Sequence, residues 1–384
     1  MNIRTRRVVS TAAAAALALG GLAVSAGSAS AAAAAKLPAG CKSLTIAFFG
    51  AQTGDAGNLG VNISQGAKLA VAQYNAKKPK IKVNFKAFDS QGDPAQAGAL
   101  AQTVIKDPCI VGVVGPAFSG ESAVADPIFN RVGLPIITPS ATNPPLSTNG
   151  WKIFHRAVAT DAIQGTYAAK YIKTVLKSTK VAVIDDASDY GKGLADIVAS
   201  KLGHTVARES IDPKAQDFSS TVAKIKNSGA TVVYYGGYYA EAGRLAKQLK
   251  DAGVNAKFVS DDGVLDPGFV TAAGAAAAGA IVTAPTAPVA DIKGGPAYAA
   301  AYKKAFGQPS GTYSAEAYDC ANFFLAGIKA NKTTRAALQK YVSTAAYVGL
   351  TKTLKFSPTG EIEGAAIYSY VYAADGSTKG ALIK

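Results

Sequence analysis

The sequence holds only two histidines, three cysteines, one tryptophan and one methionine in 384 residues. His155 and His204 lie far apart, so with three cysteines no zinc or iron cluster can be assembled. A Ser-His-Asp triad would have to recruit one of those two histidines, and no G-x-S-x-G elbow occurs. The turn Gly50-Ala51-Gln52-Thr53-Gly54 lacks the G-x-G-x-x-G spacing of a dinucleotide fingerprint. A G-x-x-x-x-G-K-[ST] phosphate loop is also missing. Nothing here argues for an enzyme, a resident cofactor or a metal. Beyond the N-terminal stretch, every apolar run is too short or too interrupted by charge to cross a bilayer. Acids are the scarcer charge, with 25 Asp and Glu against 40 Lys and Arg and a net charge of +15.

The first residues point to export. Arg4, Arg6 and Arg7 precede an Ala-rich apolar stretch from Val8 to about Val24, and Ala29-Ser30-Ala31 offers an A-x-A cleavage site. Residues 1–31 therefore read as a secretory signal peptide, which predicts a secreted, extracytoplasmic protein. Thr5-Arg6-Arg7-Val8-Val9 also weakly resembles a twin-arginine signal, beside the plainer reading of a basic n-region. About 350 residues remain, enough for two domains with separate cores. The basic balance raises the possibility of nucleic acid, but the lysines are spread over helix faces without an aromatic–basic motif. A solvated surface facing an anionic cell envelope accounts for them without a nucleic-acid partner.

Cys41 and Cys109 each stand just before a predicted apolar strand, Leu44–Phe49 and Ile110–Val114. Residues preceding neighbouring parallel strands share one sheet edge, so an exported chain can bridge them. Ala39-Gly40-Cys41 also has the ending of a lipoprotein site, which competes for the same cysteine. Cys320 falls in a helical pattern and is expected to be a buried free thiol.

Strand and helix alternate along almost the whole chain. Leu44–Phe49, Ile81–Phe88, Ile110–Val114 and Leu134–Ile137 read as strands, with helices from Gly66 and from Asp93-Pro94 between the first three. A second series follows, with strands at 181–184, 206–211, 231–235, 258–259 and 280–283. Breaks fall near 151–160 and 284–295, and a helix pair near 314–330 and 333–341 precedes a β-rich tail. The fold class predicted is α/β, with parallel sheets in two Rossmann-like lobes.

Polar turns recur at the predicted carboxyl ends of these strands, where open α/β sheets bind ligands. Gly115-Pro116-Ala117-Phe118-Ser119-Gly120 sets a hydroxyl at a helix start, suited to a carboxylate or to a plain N-cap. Thr138-Pro139-Ser140-Ala141-Thr142 has the same chemistry and the same two readings. The second series adds Asp185–Gly191, Gly236-Gly237-Tyr238-Tyr239 and Ser260-Asp261-Asp262-Gly263. Hydroxyls and N–H groups on one side, with acids and tyrosines on the other, would satisfy both charges of a bound zwitterion.

In order and spacing, these segments resemble the leucine/isoleucine/valine-binding proteins of bacterial ABC importers, the type I periplasmic-binding fold. The resemblance rests on Gly50–Gly54, Asn62–Asn75, Asp89-Ser90-Gln91-Gly92-Asp93-Pro94, Gly115–Ser119, Ile137–Thr142, Asp189–Gly193, Asp217-Phe218-Ser219, Val233–Tyr238 and Glu316–Asp319. It implies that Ser119 and Thr142 hold a ligand carboxylate, helped by the Ala141 and Thr142 N–H groups. By the same resemblance the Ser140 carbonyl and Asp262 receive the ammonium, and Tyr190 and Tyr238 form aromatic walls. Tyr313 aligns near the side-chain pocket, and Leu59 replaces a frequent aromatic. The family further implies three crossover strands, near Ala157, Thr286 and Ile367. Lobe 1 would then comprise 41–157 and 286–366, and lobe 2 would comprise 158–285 and 367–384. The expected protein is a monomer that binds a small hydrophobic L-amino acid, closes by hinge motion and delivers it to a membrane permease. An aromatic acid, amide or urea as ligand, or a role in sensing, stays open.

Overall fold

The computed structural model describes residues 36–364 and 366–383; the predicted signal peptide at 1–31 lies outside them. The chain begins with β1 (Leu44–Gly50), α1 (Gly57–Ala76), β2 (Val83–Asp89), α2 (Pro94–Lys106), β3 (Ile110–Val114), α3 (Ser119–Arg131) and β4 (Ile136–Ile137). These strands form one parallel sheet in the order β2-β1-β3-β4. All seven β1 residues are buried, because helices cover both sheet faces and a continuous apolar run is then required. We call the body on this sheet lobe 1.

Lobe 2 is built on the second sheet. It contains α4 (Asp161–Thr174), β5 (Val181–Asp185), α5 (Asp189–Leu202), β6 (Ala207–Ser210), α6 (Ser219–Ser228) and β7 (Val232–Gly236). It continues with α7 (Tyr239–Asp251), β8 (Lys257–Ser260), α8 (Pro267–Ala273) and β9 (Ile281–Ala284). The chain next forms α9 (Gly295–Phe306), α10 (Ser314–Lys329), α11 (Arg335–Thr344) and a small hairpin of β10 (Tyr347–Val348) and β11 (Thr353–Leu354). It ends in β12 (Tyr368–Tyr372) and β13 (Thr378–Leu382), which join the second sheet antiparallel, giving β13-β12-β9-β8-β7-β5-β6. No described helix is long and apolar enough to cross a membrane.

Helices α9 to α11 return to lobe 1. A Cβ on Gly66 of α1 would lie 2.0 Å from the Ser314 carbonyl oxygen, so only glycine lets α10 pack so close. The Arg335 guanidinium fastens the start of α11 to the first sheet by donating to the carbonyls of Ile105, Asp107 and Ile110. Cys41 and Cys109 are joined by a disulfide, which uses the Cys41 sulfur that a lipid would need, and Cys320 is a buried free thiol.

Several boundaries differ from the periodicity. Helix α1 starts nine residues before Gly66, at Gly57. Gly57, Asn58, Gly60 and Asn62 are weak helix formers, so packing and not propensity holds that first half. Helix α4 starts at Asp161, six residues before the helical spacing that the sequence shows from Tyr167, and β4 keeps only two of four predicted residues. Helix α9 was not predicted and starts where the predicted break at 284–295 ends, with Pro296 in its first turn, where proline is favourable.

Candidate functional site

The strand-end turns converge on one cleft between the lobes. Lobe 1 supplies Ser119 at the start of α3, the Ser140–Thr142 loop after β4, Leu59 from α1, and Tyr313, which precedes α10. Lobe 2 supplies Tyr190 from the first turn of α5, Tyr238 ahead of α7 and Asp262 after β8. Seven of these nine residues line a common cavity, namely Leu59, Ser119, Ser140, Tyr190, Tyr238, Asp262 and Tyr313. Ile63, Ala117, Phe118 and Gly263 complete its lining. Its volume is about 20 Å³, room for one water at most.

The lobes are in contact around it. The Phe118 and Tyr238 rings meet edge to face at 5.4 Å, and Tyr190 packs on Tyr238 at 5.3 Å. Tyr313 of lobe 1 donates to Asp262 Oδ2 at 2.6 Å. At the cleft margin Asn58 Nδ2 donates to Asp266 Oδ1 at 3.0 Å, and Asn143 Nδ2 donates to the Asp189 carbonyl at 2.6 Å.

Asp262 is the electrostatic centre. Its Oδ1 accepts from Gln164 Nε2 at 2.6 Å and from the Tyr190 hydroxyl at 2.8 Å. With Tyr313 on Oδ2, three of about four lone-pair sites are filled. One site remains for a further donor. Burial raises the Asp262 pKa, while the bonds from Tyr313, Gln164 and Tyr190 hold it down. Asp261 and Asp161 crowd the same region. Burial, and then the Asp262 charge, push Asp261 well above the carboxylate range. Burial pushes Asp161 to about 8; Thr142 and Arg156 oppose that rise, and the Asp262 charge adds to it. A cationic group in the cleft would relieve this like-charge repulsion.

The lobe 1 side is shaped for an anion. Ser119 Oγ accepts from Asn143 N at 3.2 Å and keeps its own proton free to donate. Ser140 Oγ donates to the Ala117 carbonyl at 2.7 Å, which turns the hydroxyl away and fixes the loop. The loop is also tied from behind by Arg156. This fully buried guanidinium donates to the Ala141 carbonyl at 3.2 Å and the Asn143 carbonyl at 2.8 Å, and it pairs with Glu361.

Two expected residues are not on the cavity wall. Ala141 N–H donates to Thr138 Oγ1 at 2.9 Å, within its own loop. Thr142 is fully buried, and its hydroxyl lies beside Asp161 without a hydrogen bond of good geometry. Gln164, Asp161 and Arg156 escaped the sequence reading. Gln164 and Asp161 lie in the first turns of α4, before the periodicity begins. Arg156 falls in the predicted break near 151–160, where no pattern marks it.

A family model described as periplasmic binding protein matches residues 43–377. The Leu/Ile/Val/Thr-binding protein of Salmonella typhimurium is 31% identical over 349 residues, covering 87% of this chain and 92% of that protein. Among solved structures, the branched-chain amino acid transporter substrate binding protein of Streptococcus pneumoniae, in complex with isoleucine, superimposes with a TM-score of 0.84 at 24% identity. It covers 89% of this chain and 100% of that one. An ABC transporter solute binding protein of R. palustris, in complex with benzoate, gives a TM-score of 0.80 at 18% identity, covering 89% of this chain and 96% of that one. With its two sheets, its cleft at the strand ends and this matched length, the chain belongs to the periplasmic binding protein family, with the type I fold.

Proposed function

We propose that this protein is the extracytoplasmic solute receptor of an ABC importer and captures a small hydrophobic L-amino acid of branched-chain type. It acts by binding and release, without catalysis, and hands its ligand to a membrane permease. The observation that carries this reading is the pairing across one cleft of the Ser119 hydroxyl and Ser140 loop with the Asp262 carboxylate, between apolar walls. A zwitterion satisfies both sides, and the Leu59–Ile63 side accommodates an aliphatic chain. The lobes divide as 41–157 with 286–366 and 158–285 with 367–384, and residues 1–31 direct export. Because the cavity is about 20 Å³, an amino acid enters by parting the lobes and wins Asp262 partly from Tyr190 and Tyr313.

A second reading, an aromatic acid, is favoured by the rings of Phe118, Tyr190, Tyr238 and Tyr313 around the cavity. Asp262 opposes it, since two carboxylates would face each other. Titration calorimetry of the ligand-stripped mature protein against the twenty amino acids and benzoate separates the two. Heat from Leu, Ile or Val upholds the zwitterion. Heat from benzoate alone overturns the role given to Asp262.

A further inference from the structure

Far from the cleft, the amino ends of the lobe 1 strands gather positive charge. Five segments meet there: 36–43, 77–82, 105–109, 130–135 and 329–335. The parallel register sets Leu44 beside Val83 and Thr45 beside Ile110, and the disulfide ties Cys41 to Cys109. Thr333 donates to the Lys36 carbonyl at 2.8 Å, which brings in the turn between α10 and α11. Together these segments contain nine lysines and two arginines against one acid, Asp107. All nine lysines are exposed. None of their ammonium groups forms an ion pair or hydrogen bond among the described residues.

The corresponding edge of lobe 2 is basic in part for another reason, although Lys177, Lys180 and Lys201 there are exposed as well. There Lys173, Lys226 and Lys250 donate to the carbonyls of Lys201, Ala252 and Ala275 at 2.7, 2.9 and 2.7 Å. Lys247 pairs with Asp251 at 2.5 Å. Those lysines satisfy chain carbonyls and helix ends, as the helix dipole favours. The lobe 1 lysines do not, and most stand in connecting loops. Collecting like charges at one edge costs repulsion that an anionic partner would remove.

The charge also has a shape. Between the ends of α1 and α10 runs a groove of about 600 Å³. Lys77 and Lys80 stand on one wall and Lys329 on the other, over a floor that includes the half-buried Tyr74, Ile81 and Tyr347. We propose that this groove docks an extended phosphodiester polymer, with phosphates between the facing lysines and its carbon links on the apolar floor. A flat bilayer would meet only the rim, whereas a chain can lie along both walls. The proposal is independent of the ligand reading, because the groove shares no residue with the cleft.

The test is a titration of the mature protein with synthetic poly(glycerol phosphate) from about 0.05 to 0.2 M salt, where counterion release makes such binding fall steeply. The variant Lys77→Ala/Lys80→Ala/Lys329→Ala is expected to bind at least about tenfold more weakly. It should also flatten the slope of log K against log salt by about 2, at about 0.7 per lost phosphate contact. The matched variant Lys177→Ala/Lys180→Ala/Lys201→Ala removes the same charge from lobe 2 and is expected to stay within about twofold of wild type. Melting curves confirm that both variants fold. Equal losses in the two variants would reduce the effect to net charge and overturn the groove. Binding to phosphatidylglycerol vesicles without binding to the polymer would assign the surface to a membrane instead. No polymer binding by the wild type would also overturn the proposal.

Discussion

Around the cleft, at the carboxyl ends of the strands, Asp161, Asp186, Asp261 and Asp262 are buried, none more than 3% exposed. At the amino ends of the lobe 1 strands, nine lysines stand in solvent. The same alternation of strand and helix builds both ends, yet they treat charge in opposite ways. At the carboxyl ends, polar loops and helix starts converge from two lobes, so acids become trapped between them. At the amino ends, helix C-termini and short loops face water on one side only, so cations remain hydrated and pay no desolvation.

The largest effect expected from breaking this contrast lies at the amino end. The Cys41–Cys109 bridge spans 68 residues, and the chain-entropy relation puts its contribution at about 4 kcal/mol. Replacing both cysteines by serine should lower the denaturant midpoint markedly while leaving ligand affinity within about twofold. A collapse of affinity instead would mean that the two ends are not independent. Under non-reducing denaturation, thiol titration should find one free group, from Cys320.

At the carboxyl end the effects reverse. Asp262→Ala and Ser119→Ala should each weaken binding by about 2 kcal/mol or more, because each leaves one charge of the bound ligand without a partner. Wild-type affinity by calorimetry would remove either residue from the site. Gln164→Leu should cost less, about 1 kcal/mol, since it deletes one neutral donor to Asp262 while the tyrosines remain.

A pH dependence tests the contrast in another way. Asp161 has its folded pKa raised from 3.8 to about 8. Between those values the folded state holds the proton that the unfolded state has lost. This contribution to stability is therefore complete below about pH 4 and is lost as pH rises through about 8. Denaturation of the ligand-free protein should accordingly show stability falling between pH 5 and 8, with a shallower fall in Asp161→Asn. A cationic ligand favours the ionised acids, so its binding should release protons and tighten as pH rises. An anionic ligand should take protons up. Calorimetry in buffers of different ionisation heat distinguishes the two.

Much of the cleft was legible because its parts are local patterns. Asp93 caps α2 from its side chain as the Asp-Pro pair announces, and the turns after β3, β4, β5, β7 and β8 stand out as polar breaks after apolar runs. The pairing of Cys41 with Cys109 followed from two cysteines placed before neighbouring parallel strands. Gln164 and Arg156 were not legible. Their roles depend on partners 98 and 205 positions away, Asp262 and Glu361, and nothing in their own neighbourhoods marks them. The first half of α1 was hidden for the same reason, since Gly57, Gly60 and Asn62 form a helix only against the rest of the protein.

The sequence alone determined the alternation of strands and helices, the strand-end turns and the residue types they carry, because hydrophobic period and turn chemistry act over a few residues. The tertiary structure alone decided that Asp262 is held by Gln164, Tyr190 and Tyr313, that Ala141 N–H is spent within its own loop, and that scattered lysines share one edge. Each of these depends on distances between distant segments, which are set only when the two sheets are packed and their faces covered.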